Sequence, residues 1–173
     1  MGQTSGGLSP QRGSIEPIAQ AIHERWRQEA IAKGETAPTW QELDESRKES
    51  SRDQARHIPN HLRKIGCALA PLRDWKAKDF TFTDPEIKVL ATAEHERWNR
   101  ERIADGWRLA NEKNVERKET PYLLPWEQLK ELYPDIAELD AFFIRAMPAI
   151  LASAGLQIIR TPADPPIASI DAE

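Results

Sequence analysis

The sequence has one cysteine, no surplus of basic residues and no long apolar run, and each shortage excludes a class of protein. A lone Cys67 can form neither an internal disulfide nor a cysteine-based zinc site. The net charge of −4 is not that of a chain that wraps DNA or RNA, so we expect no nucleic-acid partner. Because no apolar segment approaches the length of a membrane span and no signal-peptide pattern is present, we expect a cytoplasmic protein without a membrane partner.

Motifs for several kinds of catalysis are also missing. The sequence has neither a Gly-rich phosphate loop nor a serine in the strained, Gly-flanked turn that many hydrolases use. His57 and His61 are four residues apart, but no third ligand lies near them, so a solvated helix face is preferred to a metal site. Acid–base catalysis by Glu24, Glu96 and the histidines is a weak alternative, since nothing nearby orients them. We therefore expect no enzymatic activity, no catalytic residue, no metal and no cofactor.

The strongest signal that is present is an internal repeat with a spacing of 72 residues. Aligned without gaps, Ile18–Gly34 and Leu90–Gly106 share 10 identical residues in 17 positions. Both segments contain the tetrapeptide His-Glu-Arg-Trp and both end in glycine. Two copies are too few for a solenoid, so the pattern indicates a duplication within one domain.

The repeat continues beyond these segments. TWQEL (residues 39–43) matches PWEQL (residues 125–129), and RHIPNHLRKIG (residues 56–66) matches RAMPAILASAG (residues 145–155). Arg, Pro and Gly keep the same spacing in the last pair. The halves differ between the His-Glu-Arg-Trp helix and the TWQEL or PWEQL motif. There the second half has WRLANEKNVERKETPYLLP, whereas the first half has only ETAP.

Apolar spacing predicts equivalent helices over Ile15–Lys33 and Pro85–Asp105. Thr83 and Glu86 have the spacing of a capping box, and Gly106 is expected to end the second helix in the left-handed conformation. The segments that end in the glycines at 66 and 155 are predicted as two further helices that bend or restart at a proline. The apolar runs that follow them, and residues 122–124 (YLL), are strand candidates.

The predicted fold is mainly α with minor β, in which two repeats related by a pseudo-twofold axis pack as one domain. The chain divides into a disordered leader, a first repeat, a linker, a second repeat and an extended tail: 1–14, 15–72, 73–83, 84–160 and 161–173.

One helical stripe in each copy could carry function. Residues three and four apart share a face, so His23 lies beside Trp26, and His95 lies beside Trp98 and Arg102. In the simpler interpretation both indoles belong to the core and both imidazoles are satisfied by hydrogen bonds there; duplication does not exclude this, because a core would be duplicated too. In the other, two indoles brought together by a twofold axis form a slot for a planar ligand, where a stacked base gains about 1–3 kcal/mol. An arginine adds a forked donor suited to phosphate.

These motifs together resemble the RyR domain, the repeat found in tandem in ryanodine receptors and in many bacterial proteins. The resemblance rests on His-x-x-Trp in both copies, Gly106-Trp107, and Pro-Trp-x-x-Leu at residues 125–129, and it covers residues 15–160. The chain departs from the family at Leu109-Ala110 and Lys113-Asn114, where Tyr-Gly and Arg-Asp are usual.

The resemblance implies a ligand site on the axis between the repeats. In receptors of this family a purine base is held between two tryptophans, which match Trp26 and Trp98, and a basic residue that matches Arg102 is placed for phosphate. Ser51 and Asp140 match positions whose polar side chains can read the edge of the base. Bacterial members are suspected of sensing nucleotide-derived signals, often beside channels or defence effectors. The predicted ligand-binding residues are Trp26, Trp98, Arg102, His23, His95, Ser51 and Asp140.

Two functions are compatible with this site. The first is a non-enzymatic module that binds an adenine nucleotide or a nucleotide-derived second messenger, such as a cyclic dinucleotide, and that senses or sequesters it, with or without a separate effector protein. The second is a protein-interaction module whose tryptophan-lined cleft receives a peptide or a partner surface. Arg102 favours the first function. A homodimer is compatible with either function.

Overall fold

The computed structural model describes residues 12–162, which form five α-helices, a 3₁₀ turn and two small sheets. The predicted mainly helical fold with minor β-structure is confirmed. The predicted leader falls largely, and the tail almost wholly, outside these residues. The helices are α1 (Arg12–Ala32), α2 (Glu45–Arg63), α3 (Asp84–Ala104), α4 (Trp126–Leu132) and α5 (Pro134–Ser153), and the strands are β1 (Cys67–Pro71), β2 (Arg108–Leu109), β3 (Glu119–Thr120) and β4 (Leu156–Arg160).

The ends of α3 are set by the residues that the sequence indicated. The Thr83 hydroxyl accepts a hydrogen bond from the Glu86 backbone N–H at 3.3 Å, and the Glu86 carboxylate accepts one from the Thr83 N–H at 2.9 Å. The predicted capping box is therefore confirmed. Gly106 follows the helix with φ +87°, the left-handed conformation expected there.

The two later helices also form, and neither is interrupted by its proline. Pro59 lies inside α2 and Pro148 inside α5. The strand predicted at residues 122–124 is wrong. Its backbone is bonded locally instead: the Tyr122 N–H donates to the Thr120 hydroxyl at 3.3 Å, and the Leu124 N–H donates to the Tyr122 carbonyl at 2.8 Å. The short parallel pair nearby is β2 with β3.

The predicted strands after the two glycines form one antiparallel ribbon, β1 with β4. Its central pair is Leu69 with Ile158, and its outer pairs are Cys67 with Arg160 and Pro71 with Leu156. Leu69 and Ile158 each lie three residues after the glycine that ends their repeat helix. Equivalent strands pair in this centred register when a local twofold axis passes through the ribbon. The twofold relation of the two halves stays a prediction. The observed strand register is the one that such a relation requires.

One hydrophobic core joins the two halves. Helix α1 packs against α2 and α5, and α3 packs against the same two helices from the other side. None of the described helices is long and apolar enough to cross a membrane. Fully buried side chains come from all four of the long helices: Ile18, Ile22, Ile58, Leu62, Leu90, Phe143, Ile144, Met147 and Leu151.

Candidate functional site

An open cleft of about 350 Å³ lies between α1, α2, α3, α5 and the segment that leads into α4, and we call it the tryptophan cleft. Five of the seven predicted ligand-binding residues line it: Trp26, Trp98, Arg102, His95 and Asp140. His23 and Ser51 do not line it; Ser50, one residue earlier on α2, does.

The two repeat histidines make matching contacts. His23 Nε2 lies 2.8 Å from the carbonyl oxygen of Pro38, and His95 Nε2 lies 2.7 Å from that of Leu124. Each ring also packs against the tryptophan two residues after that carbonyl, with centroids 6.1 and 6.2 Å apart and interplanar angles of 54° and 55°. Because a carbonyl only accepts, Nε2 carries a proton in both histidines. Both side chains therefore hold a loop against their helix, as the core interpretation expects of them.

The two indoles do not fit the core interpretation, because neither is fully enclosed. Trp26 and Trp98 are each half-buried, and both face the tryptophan cleft. The Trp26 ring packs against Phe142 at a centroid distance of 5.3 Å. The Trp98 ring is stacked on His95 at 5.6 Å, with the planes 18° apart. Each indole is thus fixed in place by a neighbouring ring while part of its surface remains accessible from the cleft.

Arg102 is held by aromatic rings and not by a carboxylate. Its guanidinium carbon lies 5.5 Å from the centroid of Trp98 and 5.5 Å from that of Trp107. Its Nε is buried without a hydrogen-bond partner, and no ion pair of Arg102 occurs among the described residues. Cation–π contacts fix the position of the charge but leave its N–H donors free. Arg102 can therefore donate to an incoming anion without first breaking a salt bridge.

A network of buried charges forms the floor of the tryptophan cleft. Glu94 is 1% exposed; it lies 3.0 Å from His61 Nε2 and accepts from Nε and Nη2 of Arg97 at 2.8–3.1 Å. Arg97 also donates to Asp53 and Glu101, both at 2.8 Å. Burial alone would raise the pKa of Glu94, but the hydrogen bonds and charges of His61 and Arg97 outweigh it, so the pKa lies below its ordinary value. Glu94 is thus a fixed negative charge beside the cleft.

Sequence reasoning missed this network, although the repeat contains a signal for it. The alignment that pairs the two His-Glu-Arg-Trp motifs places Glu94 opposite Ile22, which is 1% exposed. The alignment of the later helices places His61 opposite Ile150, which is 4% exposed. A polar residue where the other copy has a buried aliphatic one indicates that it has a polar partner inside the protein.

Other cleft residues come from the long segment of the second half. Lys113 and Tyr122 line the cleft, and no ion pair of Lys113 occurs among the described residues. Within residues 12–162, no group of three or more His, Cys, Asp or Glu side chains is placed to hold a metal ion.

Comparison with known families bears on the half of the chain that contains Trp98 and Arg102. The family model of the RyR domain matches residues 83–139. The chain carries a RyR domain. The matched residues run from the cap of α3 to Leu139 in α5, and they include the stacked pair His95 and Trp98. Residues 15–72 lie outside the match, so the presence of two tandem RyR repeats stays a prediction. No curated protein matches the chain.

Proposed function

We propose that this RyR-domain protein is a non-enzymatic binding module that holds an adenine nucleotide, or a second messenger derived from one, in the tryptophan cleft. The observation that carries the proposal is that Trp26 and Trp98, which are far apart in the sequence, line one cleft together with Arg102, which has no carboxylate partner within residues 12–162. In the cytoplasm such a module senses or sequesters its ligand, and a separate effector protein completes the signal.

The chemistry of the cleft favours a planar ligand with a negative group. A base stacked on an indole gains about 1–3 kcal/mol, whichever base it is. Arg102 and Lys113 supply two cations that form no ion pair among the described residues, whereas Glu94 is already engaged by Arg97 and His61. Because a guanidinium donates two parallel hydrogen bonds, it suits phosphate geometry better than a point charge does.

The size of the cleft supports a small molecule over a protein partner. A volume of about 350 Å³ lies at the low end of the range typical of small-molecule sites, roughly 300–1,000 Å³. A protein–protein contact of ordinary stability instead needs a surface of about 800 Å² on each partner. A peptide or partner surface in the cleft remains the alternative function.

Calorimetry with adenosine, adenosine monophosphate and a cyclic adenine dinucleotide tests the proposal. Trp98→Ala should weaken all three by about 1–3 kcal/mol, roughly 5- to 150-fold, since stacking does not depend on phosphate. Arg102→Ala should weaken only the two phosphorylated ligands, and its effect should shrink as salt rises.

The matched controls lie outside the cleft. Trp75 is 96% exposed and Arg73 is exposed, and neither lines the cleft, so Trp75→Ala and Arg73→Ala should leave all affinities unchanged. Equal losses for every ligand in both cleft variants would indicate a general folding defect. If the parent protein gives no heat with any of these ligands, the protein-interaction function is preferred.

A further inference from the structure

A separate groove of about 330 Å³ lies between the first half of α3, α4 and α5, and we call it the α4 groove. It shares no lining residue with the tryptophan cleft. Much of its wall is apolar and is formed by Ile87, Ala91, Trp126, Pro134, Ala137 and Ala141. The groove therefore offers an apolar surface to an occupant that is not the ligand of the tryptophan cleft.

The first half of the chain fills the matching space with its own side chains. Extending the repeat alignments places Trp40 opposite Trp126, Lys48 opposite Ala137 and Arg52 opposite Ala141. Arg52 and Lys48 lie 5.8 and 5.9 Å from the centroid of the Trp40 ring. This alignment is supported by an ion pair that both halves contain, Arg56 with Glu49 and Arg145 with Glu138. Since the second half has only alanine in place of the two cations near Trp40, the α4 groove stays open.

The charges around this space are reversed between the halves. In the first half Arg52 donates to Glu16 at 2.7 Å, and Glu16 is aligned with Lys88. Asp44 is likewise aligned with Lys130, and both lysines line the α4 groove. Where the first half accommodates an arginine, the second half is therefore suited to a carboxylate.

The acids near the groove leave these lysines available. Among the described residues Lys130 has no ion pair, and Lys88 has only an exposed one with Glu127 at 3.3 Å, of the kind that contributes little and exchanges readily. One of the two acids that line the groove is engaged by Arg145. The other, Asp84, stands against two lysines.

A segment of the chain itself has the matching composition and lies within reach. The described residues end at Pro162, and Arg160 donates to Glu86 at 2.6 Å, next to Ile87 of the groove. The eleven residues that follow, ADPPIASIDAE, can span about 35 Å when extended, at roughly 3.3 Å per residue. They contain two isoleucines, three acids and a Pro-Pro pair. Pro-rich segments are pre-organised in an extended form and are known to dock in aromatic-lined grooves at a low cost in entropy.

We propose that the α4 groove binds residues 163–173 of the same chain. The isoleucine side chains pack against Ala137, Ala141 and Trp126, where Arg52 and Lys48 lie in the first half, and the carboxylates of the segment pair with Lys88 and Lys130. This inference does not depend on the function proposed for the tryptophan cleft.

Zero-length carbodiimide cross-linking of the full chain tests the proposal, because the reagent joins a carboxylate to a lysine amine only when the two are in contact. Mass spectrometry should find amide bonds from the acids of residues 163–173 to Lys88 and Lys130. The bond between Glu29 and Lys33, which lie 3.6 Å apart and away from the groove, monitors the reagent. An equal mixture of isotopically light and heavy chains separates bonds within one chain from bonds between two. Mixed bonds would overturn the proposal and assign the groove to the segment of a second copy.

Two variants probe the groove and its occupant separately. Lys88→Glu with Ala141→Arg copies the first half, so it should fill the groove and remove most of the bonds to Lys130. Ile167→Ser with Ile170→Ser should do the same from the other side, and because it leaves residues 12–162 unchanged it decides the matter if the first variant melts early. Ser169→Ala, within the same segment, should change nothing. Absence of these bonds in the parent, or bonds to Lys130 that persist in both double variants, would overturn the inference.

Discussion

The ring of His95 lies between a backbone carbonyl and the carboxyl group of Asp140: Nε2 is 2.7 Å from the Leu124 oxygen, and Nδ1 is 3.4 Å from Oδ2 of Asp140. The first contact requires a proton on Nε2, since a carbonyl only accepts. A hydrogen bond in the second contact requires another proton, carried either by the ring or by the carboxyl group. Because His95 is 2% exposed, this contact lies at the wall of the tryptophan cleft and away from bulk water.

This relationship predicts how stability responds to pH at Asp140. Burial raises the pKa of Asp140 above its ordinary value of 3.8, and the hydrogen bond with His95 offsets only part of the effect. Between 3.8 and the raised pKa, the folded protein keeps a proton that the unfolded chain has released, so the contribution of Asp140 to the free energy of unfolding falls as pH rises. Asp140→Asn imitates the protonated acid and does not titrate. The variant should therefore gain stability relative to the parent as pH rises from about 3.8, as measured by urea unfolding.

Asp135→Asn is the matched control, because it removes the same charge from an exposed position on the same helix, α5. The gain of Asp140→Asn as pH rises should exceed any change seen with Asp135→Asn. A difference between Asp140→Asn and the parent that is constant from pH 3.5 to 7 would show that Asp140 titrates like a solvated carboxyl group.

A second prediction concerns the link between β4 and the start of α3. Arg160 donates to both carboxylate oxygens of Glu86 at 2.6 and 2.9 Å, and these hydrogen bonds, with that from the Thr83 backbone, lower the pKa of Glu86 to about 2. A lowered pKa stabilises the fold above the ordinary value of 4.5 and loses that effect as pH falls through about 2. Glu86→Gln should therefore cost stability near neutral pH, by about 0.5–2 kcal/mol as for a lost helix cap, and the cost should shrink below pH 4.5.

Urea unfolding of parent and variant between pH 2.5 and 7 measures this difference. Glu127→Gln is the control, because it breaks an exposed pair with Lys88 at 3.3 Å that should contribute less than about 1 kcal/mol at any pH. A cost of Glu86→Gln that persists undiminished at the acid end would mean that the ion pair with Arg160 is not its source.

Much of the fold could be predicted because its signals are local. Glycine and the capping box mark the helix ends through backbone conformation and hydrogen bonds within a few residues, and these predictions agree with the structure at Thr83 and Gly106. The pairing of Leu69 with Ile158 joins residues about half the chain apart, which no local pattern encodes. Short apolar runs such as residues 122–124 are compatible with strand or loop, and there the prediction was wrong.

From the sequence alone, only those site residues that share one helix could be grouped together. Helical spacing groups His95, Trp98 and Arg102, but only tertiary packing brings Trp26 to the same cleft, and for that the family resemblance was needed. The same packing decides that Ser50 and not Ser51 lines the cleft. One residue along a helix turns the side chain by about 100°, so a family match that is displaced by one residue selects a side chain on a different face.

A third prediction concerns the backbone at Gly106. A Cβ added there would meet only the Cδ of Lys118 at 3.9 Å, an ordinary contact, so the cost of a substitution comes from the φ of +87° and not from a clash. Gly106→Val should destabilise by about 1–2 kcal/mol, which lowers the melting temperature by roughly 2–8 °C for a chain of this length. Gly106→Asn should lose less, because asparagine tolerates the left-handed region. If Val and Asn variants melt at the same temperature as the parent, the conformation of Gly106 does not limit stability.

The last prediction concerns the buried pair of Glu94 and Arg97. Removing one partner of a buried ion pair leaves the other uncompensated, which typically costs about 3–5 kcal/mol. Glu94→Ile, the residue of the other copy at this position, should therefore destabilise strongly, because Arg97 stays buried at 3% exposure. Arg97→Met added to it removes the stranded charge, so the double variant should lose clearly less than the sum of the two single losses.

Denaturant unfolding of the two single variants and the double variant measures the coupling between these residues. Glu24→Gln provides the comparison, since Glu24 and Arg27 have the same spacing of three residues and lie 3.2 Å apart but are partly exposed, and their pair should contribute under about 1 kcal/mol. The remaining partners, Asp53 and Glu101, are 30% and 23% exposed and can be solvated when Arg97 is replaced, so they should not cancel the recovery. Additive losses in the double variant would mean that Glu94 and Arg97 are not coupled, and that any loss in Glu94→Ile comes from other contacts such as that with His61.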